Sequence, residues 1–162
     1  MFKLLLAFFV LAPAALLAQG KTSGVALQIE PQNGGGHMCM DARGNRDQDG
    51  APIAIYSCNG EGNQQIWTVT ASANNQHAIV GIGGYCVDVR GVNSSNNGSP
   101  AQLWKCHFGE NQRFSLAPDG RIKEVRSGKC LIAPTPKDGT NVVLDTCKNT
   151  PGEVWALVPS RK

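Results

Sequence analysis

An all-β fold is predicted by three features of this sequence: a threefold internal repeat, short alternating apolar stretches, and turn signals between them. Cysteines mark the repeat. Cys39, Cys86 and Cys130 stand 47 and 44 residues apart, and Cys58, Cys106 and Cys147 follow them by 19, 20 and 17. An aromatic closes each unit, Trp67, Phe114 and Trp155, at intervals of 47 and 41. Three units of about 45 residues make a repeat architecture. Turn signals such as Pro118-Asp-Gly120 and Gly81-Ile-Gly-Gly84 separate the apolar runs, and nothing in the units asks for a helix.

Taken in order, residues 25–29 alternate as a strand, and Asn-Gly-Gly-Gly at 33–36 breaks it. Each unit then places strands at its first cysteine, its second cysteine and its closing aromatic. One more strand precedes the next unit, at 77–82 and at 121–125. The third unit ends without that extra strand, and residues 25–29 supply it from the other end of the chain. Three equal lobes of four short strands predict a β-trefoil with pseudo-threefold symmetry.

The remaining residues bound the setting. The chain has 162 residues, enough for one domain. Residues 1–18 read as a secretory signal peptide: Lys3 gives a positive start, and an apolar run from 4 to 17 is too short to span a bilayer. Residues 19–24 read as a flexible lead-in. The expected location is secreted, extracellular or periplasmic, with no membrane insertion. Loss of Lys3 and no acid would take the net charge from +3 to +2, a balance with no electrostatic case for nucleic acid. The basic residues Arg121, Lys123, Arg126 and Lys129 are read as solvated strand faces. Six cysteines, all in the exported part, read as a disulfide framework.

One stretch concentrates polar chemistry. Around Cys86 and Cys106 lie a carboxylate (Asp88), an indole (Trp104) and three amides (Gln102, Asn111, Gln112). A carboxylate accepts two hydroxyl protons, amides answer other hydroxyls, and an indole covers a face of C–H bonds. Such a set suits a neutral polyol.

The repeat resembles the ricin B-type lectins, a trefoil carbohydrate-binding module marked by Gln-x-Trp near the end of each lobe. That triplet stands here as Gln65-Ile-Trp67, Gln112-Arg-Phe114 and Glu153-Val-Trp155. The resemblance covers about residues 25–159, so 25–162 is assigned as the domain. It implies glycan binding, with galactose-type sugars first and xylan-type or other polysaccharides close behind. The closing aromatics are expected in the core, each worth roughly 3–5 kcal/mol against alanine. The spacings within lobes favour Cys39–Cys58, Cys86–Cys106 and Cys130–Cys147 over the other pairings six cysteines allow.

Lobe by lobe, the family pattern is complete in the second, with Asp88, Gln102, Trp104, Asn111 and Gln112 as the main site. The first keeps Asp41 and offers Tyr56 as its plate, has Ala54 where the glutamine would stand, and supplies Asn63 or Gln64 as its amide. It is a second candidate site. In the third, Ile132, Asp145 and Gly152 replace acid, aromatic and asparagine, and that site is read as dead. Asp88→Ala and Trp104→Ala are expected to abolish binding with the melting temperature nearly unchanged.

Other motifs are set aside. Asn45-Arg-Asp47-Gln-Asp49-Gly50 imitates the start of a calcium loop, but Tyr56 stands where the bidentate Glu belongs, so it is read as a flexible surface loop. His37, His77 and His107 show no ligand spacing, and no metal or cofactor is expected. Asn93-Ser-Ser95 and Asn97-Gly-Ser99 are glycosylation sequons if the host is eukaryotic. An enzyme is not expected, because there is no room for a catalytic domain beside the trefoil, no Ser/His/Asp or paired-carboxylate arrangement recurs in a sensible context, and Asp41 and Asp88 sit in different lobes. The alternatives to a free lectin are the adhesion subunit of a larger toxin, with a catalytic partner subunit, and a protein-binding or inhibitory trefoil.

Overall fold

Short β-forming runs between glycine-rich turns give each lobe four strands, as the pattern predicts. The computed structural model describes residues 25–29, 37–59, 62–71, 73–91 and 96–160. The signal peptide and lead-in assigned at 1–24 lie outside the described residues, as does Asn93. Lobe one holds β1 (Val25–Ile29), β2 (Met38–Ala42), β3 (Ile53–Ser57) and β4 (Thr68–Ala71). Lobe two holds β5 (His77–Val80), β6 (Cys86–Val89), β7 (Ser99–Trp104) and β8 (Phe114–Leu116). Lobe three holds β9 (Ile122–Glu124), β10 (Cys130–Ile132), β11 (Thr140–Asn141), β12 (Val143–Asp145) and β13 (Trp155–Pro159). β11 and β12 are one strand of the pattern, interrupted at Val142. That residue instead bonds to both other lobes, donating to the Ile53 carbonyl and accepting from the Ala101 N–H.

Six of these strands close a barrel. β1 pairs with β13 from Val25↔Pro159 to Ile29↔Trp155, which joins the two ends of the chain. β4 pairs with β5, β5 with β8, and β8 with β9. The bridges Val25↔Trp67 and Arg121↔Val154 complete the ring. The hairpins β2–β3, β6–β7 and β10–β12 lie over one end and pair with each other through β3–β11 and β7–β12. This is a β-trefoil, and closure leaves the barrel without an edge.

Trp67, Phe114 and Trp155 are buried at equivalent positions in the core. Each indole N–H finds a partner: Trp67 donates to the Met40 carbonyl and Trp155 to the Leu131 carbonyl. The three disulfides are the intra-lobe pairs Cys39–Cys58, Cys86–Cys106 and Cys130–Cys147, with Cα separations of 5.0, 5.1 and 5.2 Å.

The lobes grip each other in a ring. Gly50, Gly98 and Gly139 stand at matching places, all with positive φ (81°, 84° and 81°), where a side chain would be strained. Each donates its N–H to the next lobe at 2.8 Å, to Leu103, Leu144 and Ile55 respectively. Neighbouring side chains repeat the pattern. Asp49 accepts from the Lys105 N–H, Asn97 donates to the Thr146 hydroxyl, and Asp138 accepts from the Ser57 N–H. The acid-rich loop at 45–50 lies exposed on the surface, as the sequence suggested, and is tethered to the next lobe. Its Asp49 clamps one lobe to the next.

Candidate functional site

A single turn of 3₁₀ helix precedes each closing aromatic: Asn63–Gln65, Glu110–Gln112 and Pro151–Glu153. It sets the last polar residue of the turn beneath its lobe's hairpin. In lobe two that residue is Gln112, which is fully buried. Its carbonyl oxygen accepts the N–H groups of His107 and Phe108 at 2.8 and 3.0 Å. Its amide donates to Asp88 Oδ2 at 2.9 Å and to the Lys105 carbonyl at 3.1 Å.

Asp88 is thus the centre of a built polar cluster. Asn111 donates to the same Oδ2 at 2.8 Å, and Gln102 donates to Oδ1 at 3.0 Å. Three neutral amide donors hold the carboxylate in one orientation, each bond charge-assisted. Gln102 lies directly across the hairpin from Asp88, and Trp104 across from Cys86, so strand register brings them together. Trp104 is 40% exposed. A hollow of about 480 Å³ opens here, lined by Asp88, Gln102, Trp104, Asn111, Arg90 and His107, with Gly50 and Gly91 at its margin. Gly50 comes from lobe one, so the inter-lobe clamp also completes this wall.

Four of the five sequence-assigned residues line the hollow. Gln112 does not. It supports Asp88 from behind, with both ends committed to the protein. His107 was missed, because its spacing had been tested only for metal ligation. Its Nε2 lies 3.5 Å from Asp88 Oδ2 and its Nδ1 accepts from the Gly109 N–H. The expectation that Asp88→Ala would spare the melting temperature is corrected here. The acid is 3% exposed and removing it strands three buried amides.

Lobe one carries a reduced version. Asp41 is buried and accepts from Gln65 at 3.0 Å. Ala54 provides no counterpart to Gln102. Burial raises the Asp41 carboxyl above its ordinary 3.8, with the Gln65 hydrogen bond pulling the other way. The hollow here, about 360 Å³, is lined by Asp41, Tyr56, Gln64, Gln65 and Asp138 among others. Of the two amides proposed, Gln64 lines it and Asn63 does not. A raised folded-state value means that Asp41 binds its proton more tightly folded than unfolded. Its contribution to stability is therefore present at low pH and is lost as pH rises through that value. Urea midpoints of the parent should fall across the window just above 3.8 relative to those of Asp41→Asn. Parallel profiles would count against this assignment.

Lobe three carries Ile132, Asp145 and Gly152 in place of the acid, aromatic and asparagine. Without a carboxylate at Ile132 to receive an amide, Glu153 replaces glutamine and uses its oxygens as acceptors. They take the N–H groups of Lys148 and Thr150 and the guanidinium of Arg121, at 3.1 Å. Arg121 also meets Asp119 and Asn149, so it is not the solvated residue the charge pattern suggested. At Gly152, which replaces the asparagine, a Cβ would lie 2.1 Å from the Ala133 carbonyl oxygen. No side chain fits there.

Comparison with known proteins bears on the fold. Residues 27–155 match the ricin-type beta-trefoil lectin domain. Nigrin b from Sambucus nigra is 38% identical over 80 residues, 49% of this chain and 14% of that protein. The ribosome-inactivating protein PMRIPt from Polygonatum multiflorum is 37% identical over 73 residues, 45% of this chain and 12% of that protein. The chain spans only a small share of the length of these relatives. The designed threefold-symmetric protein ThreeFoil shares the fold, with a TM-score of 0.76 at 23% identity, covering 84% of this chain and 98% of its own.

Proposed function

This chain belongs to the ricin-type β-trefoil lectin domain family, and from that premise we propose that its second lobe is the main glycan site of a secreted lectin. The domain is a carbohydrate-binding module rather than a catalytic one. The observation that carries the choice of lobe is Asp88 held by three amides beside an exposed indole. The corresponding acid in lobe one, Asp41, has one amide donor from a side chain.

In this reading, Asp88 accepts one sugar hydroxyl rather than the two expected from the sequence, on the Oδ1 lone pair left over after Gln102, Asn111 and Gln112 have fixed its plane. Asn111 and Gln102 answer neighbouring hydroxyls, and Trp104 stacks on the apolar face of the ring. His107 offers a further donor or acceptor at the rim. Galactose-type sugars come first on the family resemblance alone, with xylan-type or other glycans close behind. Lobe one is a weaker second site built from Asp41, Tyr56 and Gln64. Two sites on one rigid body would add avidity on a dense glycan surface.

Trp104→Ala is the cleanest test, because this side chain is exposed and outside the buried polar cluster. Glycan affinity measured by calorimetry should fall roughly tenfold or more. Stability should stay within about 0.5 kcal/mol of the parent. Unchanged affinity on every glycan that the parent binds would refute the lobe-two site. Secretion follows from the signal-peptide reading and the three disulfides. A second reading, the adhesion subunit of a larger toxin, draws on the match to part of a ribosome-inactivating protein. Recovery of the native chain bound to a catalytic subunit would favour it.

A further inference from the structure

We infer that Phe108 is a second aromatic plate beside the lobe-two hollow, so that the ligand is a glycan of at least two sugars. This rests on lobe two being the glycan site. Phe108 is 59% exposed, more than Trp104 or Leu157, the other exposed large hydrophobics among the described residues. Its backbone is also unusual, with φ at 56° in the left-handed region. That conformation is costly for a residue with a bulky side chain.

The other lobes show what this position ordinarily takes. Two residues past the second cysteine, lobe three has Asn149, also at positive φ, and lobe one has Gly60 in the sequence. Asparagine and glycine tolerate that backbone. The positive φ recurs in lobe three at Asn149 (26°), and phenylalanine departs from the residue types that take it easily. Strain and exposure together at one aromatic gain nothing for folding, since Phe108 is absent from the core. Both do serve a ligand surface.

Its placement ties it to the site. Gln112 Oε1 holds the N–H groups of His107 and Phe108 together, while the other end of Gln112 holds Asp88. His107 lines the hollow, and Phe108 follows it directly in the chain, exposed and outside the lining. A sugar seated on Asp88 and Trp104 would leave its neighbour in the chain to meet the second ring. Stacking on C–H faces tolerates several sugar types, so Phe108 would select for length more than identity.

Phe108→Asn tests this without risk to the fold, because Asn149 fills the matching position. The probes are galactose-terminated mono-, di- and trisaccharides and xylo-oligosaccharides of the same lengths, titrated against parent, Phe108→Asn and Trp104→Ala. Affinity of the parent should rise roughly fivefold to tenfold from one sugar to two. Phe108→Asn should remove that rise, leave single-sugar affinity unchanged, and melt at the parent temperature or above. Trp104→Ala should weaken both lengths. A length dependence retained in Phe108→Asn, or absent from the parent, would overturn the proposal. A parent that binds none of the probes, or loses nothing in Trp104→Ala, would instead overturn the lobe-two reading beneath it.

Discussion

Asp88→Ala is expected to abolish glycan binding at lobe two and to destabilise the folded chain by about 3 kcal/mol. The stability loss follows from what the acid holds. Gln102, Asn111 and Gln112 lie 2.8–3.0 Å from its oxygens, and all are largely buried. Hydrogen bonds to a charged group contribute roughly 1.5–3 kcal/mol each, but not all of that is lost here. Asn111 keeps the Val89 carbonyl and Gln112 keeps the Lys105 carbonyl. A loss near 3 kcal/mol corresponds to a fall in Tm on the order of 10 °C for a domain of this size. Calorimetry and thermal melts read the two effects separately. Trp104→Ala is the needed companion, since it should remove binding without the stability change. Asp41→Ala should keep lobe-two binding, and Ile132→Ala in lobe three should keep all binding. If Asp88→Ala bound as well as the parent while Asp41→Ala did not, lobe one would be the main site.

What could be read in the sequence was whatever repeats in phase. Cys86-Val-Asp88 echoes Cys39-Met-Asp41, and three closing aromatics follow at intervals of 47 and 41, so fold, core and pairing of cysteines were visible without coordinates. Their clustering around Cys86 and Cys106 also marked Asp88, Gln102 and Trp104 as one site. The misses are one contact between remote segments and two local backbone turns. The tie between Asp49 and the Lys105 N–H was not legible, because the two lie 56 residues apart in different lobes. Gln112 was counted as a sugar contact because composition does not reveal which of two adjacent amides faces inward. The 3₁₀ turn Glu110–Gln112 decides it, burying Gln112 wholly and leaving Asn111 on the wall. Phe108 carries no sequence signal of strain, since a left-handed backbone is known only once the turn is built.

Reduction of the three disulfides is expected to unfold the domain at ordinary temperature, the largest single effect among these predictions. Each bridge closes a loop of 17 to 20 residues. In the chain-entropy model such a loop contributes roughly 3 kcal/mol, so three approach the whole 5–15 kcal/mol that stabilises an ordinary domain. Every bridge joins the first strand of a hairpin to the segment leaving the second, across a long loop rich in glycine and polar residues. Cys39, Cys86 and Cys130 are buried, whereas Cys58, Cys106 and Cys147 are partly exposed, so a thiol reagent can reach the outer sulfur of each pair. Loss of near-ultraviolet circular dichroism on titration with dithiothreitol should accompany loss of glycan binding. Replacing Cys86 and Cys106 together by serine should damage lobe two first, because that bridge lies two residues from both Asp88 and Trp104. If the reduced chain kept its Tm within a few degrees and still bound glycan, the core around Trp67, Phe114 and Trp155 would suffice, and the bridges would be secondary to it.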